Sequence, residues 1–201
     1  MARTVGSAAD DTRQRILDVA VDLFIEQGYA GTSVRDISER LGMTKGSLYY
    51  HFASKEDLLS ALLMPLVADL DAFIEDAEAA VAAGLSPIRD LVERLVGLLD
   101  QHGVLLRSLM SDPAALHGLR VKKAMPRRLL RIQQVLGGGG TQRDLLRGRC
   151  ALGVVHAGAV APRRDTVEWP TPGDRAAALR RRLSPEDKNY VVDAVLAVLA
   201  A

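Results

Sequence analysis

Aromatic side chains make up only 4% of this 201-residue chain, and cysteine occurs once. A chain so poor in rings and rich in Ala and Leu favours packed helices over sheets. The single Cys150 excludes an internal disulfide framework and a Cys-x-x-Cys metal site. No 18-residue apolar stretch is free of charge, so no membrane span is expected. The opening MARTVGSAADD is polar and lacks the apolar centre of a signal peptide, which makes the cytoplasm the expected compartment. Paired acid and base residues, metal-ligand spacings and a nucleophile elbow are also missing, so no catalytic residue, metal or cofactor is assigned.

What is present is a 48% hydrophobic sequence, enough for one sizeable core or two small ones. The net charge of +1 hides an uneven distribution. Residues 1–56 carry seven basic and eight acidic side chains, residues 57–118 three and ten, and residues 119–201 sixteen and seven. The first segment is about neutral, so any polyanion it bound would have to be met by the placement of cations such as Arg13, Lys45 and Lys55. Arg127, Arg128 and Arg131 form a basic cluster, read as a solvated face or a partner for the acidic middle segment in preference to a nucleic-acid contact.

The most informative stretch is Thr32 to Lys55, TSVRDISERLGMTKGSLYYHFASK. Val34, Ile37 and Leu41 give a helix from about Ser33 to Leu41 one apolar face. Gly42 ends it, because glycine takes positive φ without a Cβ penalty. Thr44 caps a second helix in which Leu48 and Phe52, four apart, face inward while Lys45, Gly46, Ser47 and Tyr49 point elsewhere. Two helices joined by a tight glycine turn, the second showing small, polar and basic groups, match a helix-turn-helix that reads the major groove. Gly46 costs roughly 1 kcal/mol of helix stability against Ala, which close approach to a groove would explain. The alternative reading packs Tyr50 and Phe52 inside and leaves Tyr49 and His51 at their fringe. His51 has no nucleophile around it and is not read as a catalytic base.

From Thr12-Arg13 through Lys55, the pattern of Ile16, Ala20, Phe24, Gly28-Tyr29, Thr32, Ile37, Gly42, Lys45-Gly46-Ser47-Leu48-Tyr49-Tyr50-His51-Phe52 and Ser54-Lys55-Glu56 resembles the DNA-binding domain of the tetracycline-repressor (TetR) family. Ser38 and Leu41 stand where that family usually has alanine, and Ser38 then needs a hydrogen-bond partner. The resemblance implies an all-α protein: a flexible arm at 1–10, a three-helix DNA-binding domain at 11–55, and a helical ligand-binding and dimerisation domain at 56–201. It implies Thr32, Thr44, Lys45, Gly46, Ser47, Tyr49, His51 and Lys55 as DNA-contacting positions. The implied function is a repressor that binds a partly palindromic double-stranded operator as a homodimer and is released by a small-molecule effector. The twin contact would use residues 141–160 and 185–200. A helical dimeric adaptor, or a regulator without effector response, is the alternative.

Start and stop signals divide the remainder. Helix 1 is expected from about Asp11 to Gln27, with Gly28 closing it. Ser54 caps a helix from about Lys55 to Ala83, with Asp57 three residues on, and Pro65 inside it should kink it about a turn earlier. Ser86-Pro87 opens the next helix, Ser111-Asp112-Pro113 repeats the signal, and Pro126 is expected to break the helix that follows. Gly137 to Gly140 reads as a flexible connection, with neither the ending nor the preceding strand of a phosphate loop. A helix resumes at Thr141, a short one lies in DRAAALRRRL, and Ser184-Pro185-Glu186-Asp187 starts the last. Polar or polarizable residues on apolar helices are the effector-site candidates: Met64, His102, Arg107, Met110, His117, His156 and Trp169, with Met125 and Cys150 beside them.

Overall fold

The computed structural model describes residues 5–85, 87–110, 112, 115, 124–161 and 172–201, and no strand occurs among them. Three helices build the N-terminal unit: α1 (Val5–Gly31), α2 (Val34–Leu41) and α3 (Lys45–His51). The long α4 (Lys55–Ala82) leads into α5 (Ile88–Gln101) and α6 (Gly103–Met110). Then come α7 (Met125–Gly137), α8 (Gln142–Val155), the short α9 (Pro172–Arg180) and α10 (Pro185–Ala200). A π-helical turn, His156–Val160, extends α8.

Each boundary follows from local chemistry. Gly28, at φ 78° and ψ 162°, interrupts α1 where the sequence places its end. Ser33 and Asp36 form a reciprocal capping box at α2, and Gly42 closes that helix in the left-handed region at φ 64°. The Ser184 hydroxyl accepts from the Asp187 amide with Pro185 in the first turn of α10. The buried Ser38 hydroxyl donates to the Arg35 carbonyl at 2.8 Å, so its departure from alanine costs no unsatisfied group.

Four expectations change. Helix α1 begins at Val5, so residues 5–10 are helical where an arm was expected. The first residue of α5 is Ile88, with Pro87 as its cap, and Ser86 lies outside the described residues. Pro126 sits in the first turn of α7, where its missing amide is not needed, so it starts the helix that it was expected to break. Gly137–Gly140 is a shaped turn. A Cβ on Gly137 would strike the Asp144 backbone, Gly138 holds φ 82°, and a Cβ on Gly139 would lie 2.6 Å from the Asp144 carboxylate. Asp144 in turn closes a capping box with Thr141 at the start of α8. The glycines let α7 and α8 fold back against each other, and Gly148 on α8 meets the Gln133 backbone of α7 with no room for a side chain. Pro65 is carried inside α4, which remains one element from Lys55 to Ala82.

A single cluster of buried side chains runs from Ile16 and Phe24 through Leu58 and Leu59 into Leu95, Ile132 and Val195. Each such Leu, Ile or Phe contributes about 1.5–3 kcal/mol over its exposed state. The acidic face of α4 is neutralised as the charge distribution suggests. Arg128 grips Asp71 through two 2.6 Å bonds, and Arg131 grips Glu78 through two of 2.7 Å. Those guanidiniums hold both carboxyls below their ordinary pKa.

Candidate nucleic-acid interface and cavity

Helix α3 is seven residues long and is anchored by two side chains, Leu48 and Phe52, both nearly fully buried. Its N-terminus is capped by Thr44, whose hydroxyl accepts from the Ser47 amide at 3.1 Å. Its C-terminus is held by Arg13, which donates to the His51 carbonyl at 3.0 Å and lies 4.2 Å from the centre of the Phe52 ring. A cation at this end also complements the helix dipole. Arg13 is therefore a brace for α3.

The rest of the helix surface carries Lys45, Gly46, Ser47, Tyr49 and Tyr50, all exposed, with Tyr50 directly opposite the anchors. Lys45 makes no ion pair among the described residues. A Cβ added to Gly46 would meet only the Thr44 hydroxyl at 3.9 Å, and its φ is not in the positive range. Nothing inside the protein requires glycine there. Tyr49 is half exposed; Tyr50, at 85%, is the most exposed aromatic among the described residues, with its ring edge-on to His51 at 5.3 Å. The reading that packed Tyr50 inside does not hold. A helical wheel reveals the reason: Leu48 and Phe52 point near 320° when Lys45 is set at zero, and Tyr50 points near 140°. Tyr50 was missed as a candidate although its spacing alone carried the signal.

Two expected DNA-contacting positions face inward. Thr32 is 1% exposed, and its hydroxyl lies against the Gly28 and Leu23 carbonyls, donating to them at 2.8 and 3.2 Å. This hydroxyl satisfies carbonyls freed by the break at Gly28, so its side chain has nothing left for a groove. The Lys55 ammonium donates to the Tyr29 and Thr32 carbonyls at 2.8 and 2.9 Å and sits 4.2 Å from the Tyr29 ring centre. Lys55 thus fastens α4 to the loop before α2. Beneath it, burial and the neighbouring Glu56 push the Tyr29 phenol up to about 12.

The helical body holds a cavity of about 570 Å³ between α4, α5, α6, α7 and the α8 end. Of the candidates, Met110 and His156 line it, as does Met125. Met64 is exposed on the outside of α4. His102 is bonded to Asp69 at 2.7 Å, off the cavity wall. Arg107, 4% exposed, points away and donates to the Leu179, Ala159 and Arg181 carbonyls at 2.8–3.0 Å. Its role is to tie α6 to the α8 end and α9. Cys150 is exposed and not part of the lining. His117 and Trp169 lie outside the described residues.

Between cavity and reader stands α6. Leu106, Leu109 and Met110 face the cavity, while the buried Ser108 hydroxyl donates to the Phe24 carbonyl of α1 at 3.1 Å. Just beyond, the Asp112 carboxylate accepts from the Ala30 amide at 2.6 Å. Arg180 of α9 pairs with Asp22 of α1 at 2.6 Å.

The family model described as "Bacterial regulatory proteins, tetR family" matches residues 16–62. The HTH-type transcriptional regulator SrpR of Pseudomonas putida is 32% identical over 152 residues, 72% of this chain and 68% of SrpR. The regulator AcrR of Shigella flexneri is 47% identical over 62 residues, 31% of this chain and 29% of AcrR, so that match covers less than a third of either protein. In three dimensions the chain is similar to the ketosteroid transcriptional regulator KstR2 of Mycobacterium tuberculosis, with a TM-score of 0.62 at 19% identity over 94% of this chain and 93% of KstR2. It is similar also to a transcriptional regulator from Aquifex aeolicus VF5, with a TM-score of 0.61 at 22% identity over 84% of this chain and 95% of that one.

Proposed function

Because the chain belongs to the TetR family of bacterial regulatory proteins, and is thus a helix-turn-helix transcriptional regulator, we propose that it represses transcription as an effector-released homodimer. Two α3 helices on a twofold axis would enter successive major grooves of a partly palindromic operator. The observation that carries this reading is the exposed face of α3, where Lys45 has no internal partner and Gly46 no internal reason to be glycine. Lys45, the Thr44 hydroxyl and His51 are suited to phosphates; Gly46, Ser47, Tyr49 and Tyr50 lie where base edges would be met.

The twin contact would use α8 and α10. Leu146, Cys150, Gly153 and Ala157 form an exposed, largely small-residue stripe on the first, and Tyr190 and Ala197 are exposed on the second. Small residues allow the close helix approach such an interface needs.

The cavity supplies the switch. A molecule filling it presses on Leu106, Leu109 and Met110, and α6 carries the displacement to α1 through Ser108 and Asp112. Release follows only if the molecule binds the DNA-incompetent arrangement more tightly.

Binding to the DNA flanking the protein's own gene, measured as a function of salt, tests this reading. Specific binding that weakens steeply with salt and is lost in Lys45→Ala and Tyr49→Ala supports it. No preference over random DNA for the intact dimer favours the adaptor reading.

A further inference from the structure

The cavity wall is chemically one-sided. Its side chains come from Leu, Val, Ile and Met at every position but two; these are Gly153 and His156. Among the described residues no Asp, Glu, Lys or Arg lines it. Arg107 is turned away and donates to three backbone carbonyls. An ionised group brought against such a wall gives up water and meets no fixed counter-charge among the described lining residues.

His156 is the exception. It is the first residue of the π-helical turn at the end of α8, it is exposed, and it lines the cavity together with Val160. Its imidazole makes no hydrogen bond among the described residues. At about 570 Å³ the space lies within the range of small-molecule sites, in which a few polar groups orient a mostly apolar ligand. Here the polar groups reduce to one side chain.

We propose that the effector is an uncharged, predominantly apolar molecule with a single hydrogen-bonding group, that His156 engages that group, and that ionic molecules of the same shape are rejected. This inference rests on the cavity being the effector site, and it specifies the effector's chemical class.

Two fluorescent probes differing by one sulfonate test it with the full-length protein: neutral N-phenyl-1-naphthylamine and anionic 8-anilinonaphthalene-1-sulfonate. The neutral probe is expected to saturate at one per chain, and the anion to bind at least tenfold more weakly. His156→Phe should weaken the neutral probe by about three- to tenfold, the worth of one hydrogen bond, and His156→Gln should recover most of that loss. Leu129→Trp, at a lining position already 38% exposed and therefore tolerant of bulk, should abolish saturable binding while leaving the far-ultraviolet circular dichroism unchanged. Equal or tighter binding of the anion overturns the proposal. So does absence of binding by either probe, or neutral-probe binding that survives both His156→Phe and Leu129→Trp unchanged. Operator affinity measured with and without the neutral probe separates the two readings: one-to-one binding that leaves DNA affinity unchanged upholds the ligand class and refutes the switch.

Discussion

Gly46 on α3 and Gly148 on α8 are both helical glycines, and they answer opposite demands. At Gly148 a methyl group would collide with the Gln133 backbone; at Gly46 it would meet only the Thr44 hydroxyl, at an ordinary van der Waals distance of 3.9 Å. The first glycine is explained by a neighbour within the chain, and the second has none. The same contrast separates the cations of the two regions. Arg128 and Arg131 are each clamped by a carboxylate of α4, whereas Lys45 on α3 faces solvent without a partner. A residue type that costs stability and finds no compensation inside the protein points to a surface used by something outside it.

The sharpest way to break that comparison is to add a methyl group at each glycine. Gly148→Ala forces α7 and α8 apart and should destabilise by about 3 kcal/mol, lowering the melting temperature by about 6–12 °C. A melt unchanged within 2 °C would mean that the α7 and α8 backbones are not in contact, against their glycine-mediated packing.

Lysines extend the test. Lys55→Met leaves two carbonyls, those of Tyr29 and Thr32, without their donor and should cost about 2 kcal/mol in urea unfolding. Operator binding by the folded fraction should keep its salt slope. Lys45→Ala should do the reverse, with stability within about 0.5 kcal/mol of the parent and a salt slope lower by about one per subunit, about two for the bound dimer. An equal loss of slope in both variants would assign the Lys55 charge to DNA.

Gly46→Ala is expected to stabilise the protein by about 1 kcal/mol, the propensity difference, while weakening operator binding. Stabilisation with undiminished binding would remove Gly46 from the reading face. The smallest effect concerns acid. Arg128 and Arg131 hold the Asp71 and Glu78 carboxyls below their ordinary values, so their ion pairs stabilise the fold at neutral pH. Both pairs are partly exposed and screened. That contribution should fall away as pH drops below about 4, through the lowered folded-state values. Double replacement of Arg128 and Arg131 by Gln should flatten the acid limb of a stability curve and leave its alkaline limb unchanged.

Much of the reader was legible because its signals are local. Gly28, Ser33, Gly42, Thr44 and Ser184-Pro185 act within four residues, and each marks the boundary expected of it. Charge distribution offered the pairing of Arg128 and Arg131 with the acidic segment as one of two readings, beside a solvated face, and the structure selects it. Spacing also contained Tyr50, had the face opposite Leu48 and Phe52 been traced fully. The internal bonds of Thr32 and Lys55 were not legible for another reason. Both are polar residues at a helix-turn-helix edge, and their partners are carbonyls released by a chain break that only the assembled α1–α2 junction orients.

From the sequence alone follow the all-helical architecture and the helix-turn-helix at 33–52, since caps, glycine turns and apolar periodicity are short-range physics, while the family was legible only as a resemblance in the residue pattern from Thr12 to Glu56. Only the tertiary structure decided which polar groups are spent internally. Lys55, Arg13 and Arg107 are bound to carbonyls distant in sequence, Thr32 to carbonyls of the preceding helix, and the four-glycine segment is a turn shaped by Asp144. It also decided which apolar residues face an empty space and which face each other, because a cavity is a property of five helices packing imperfectly and has no local sequence signature.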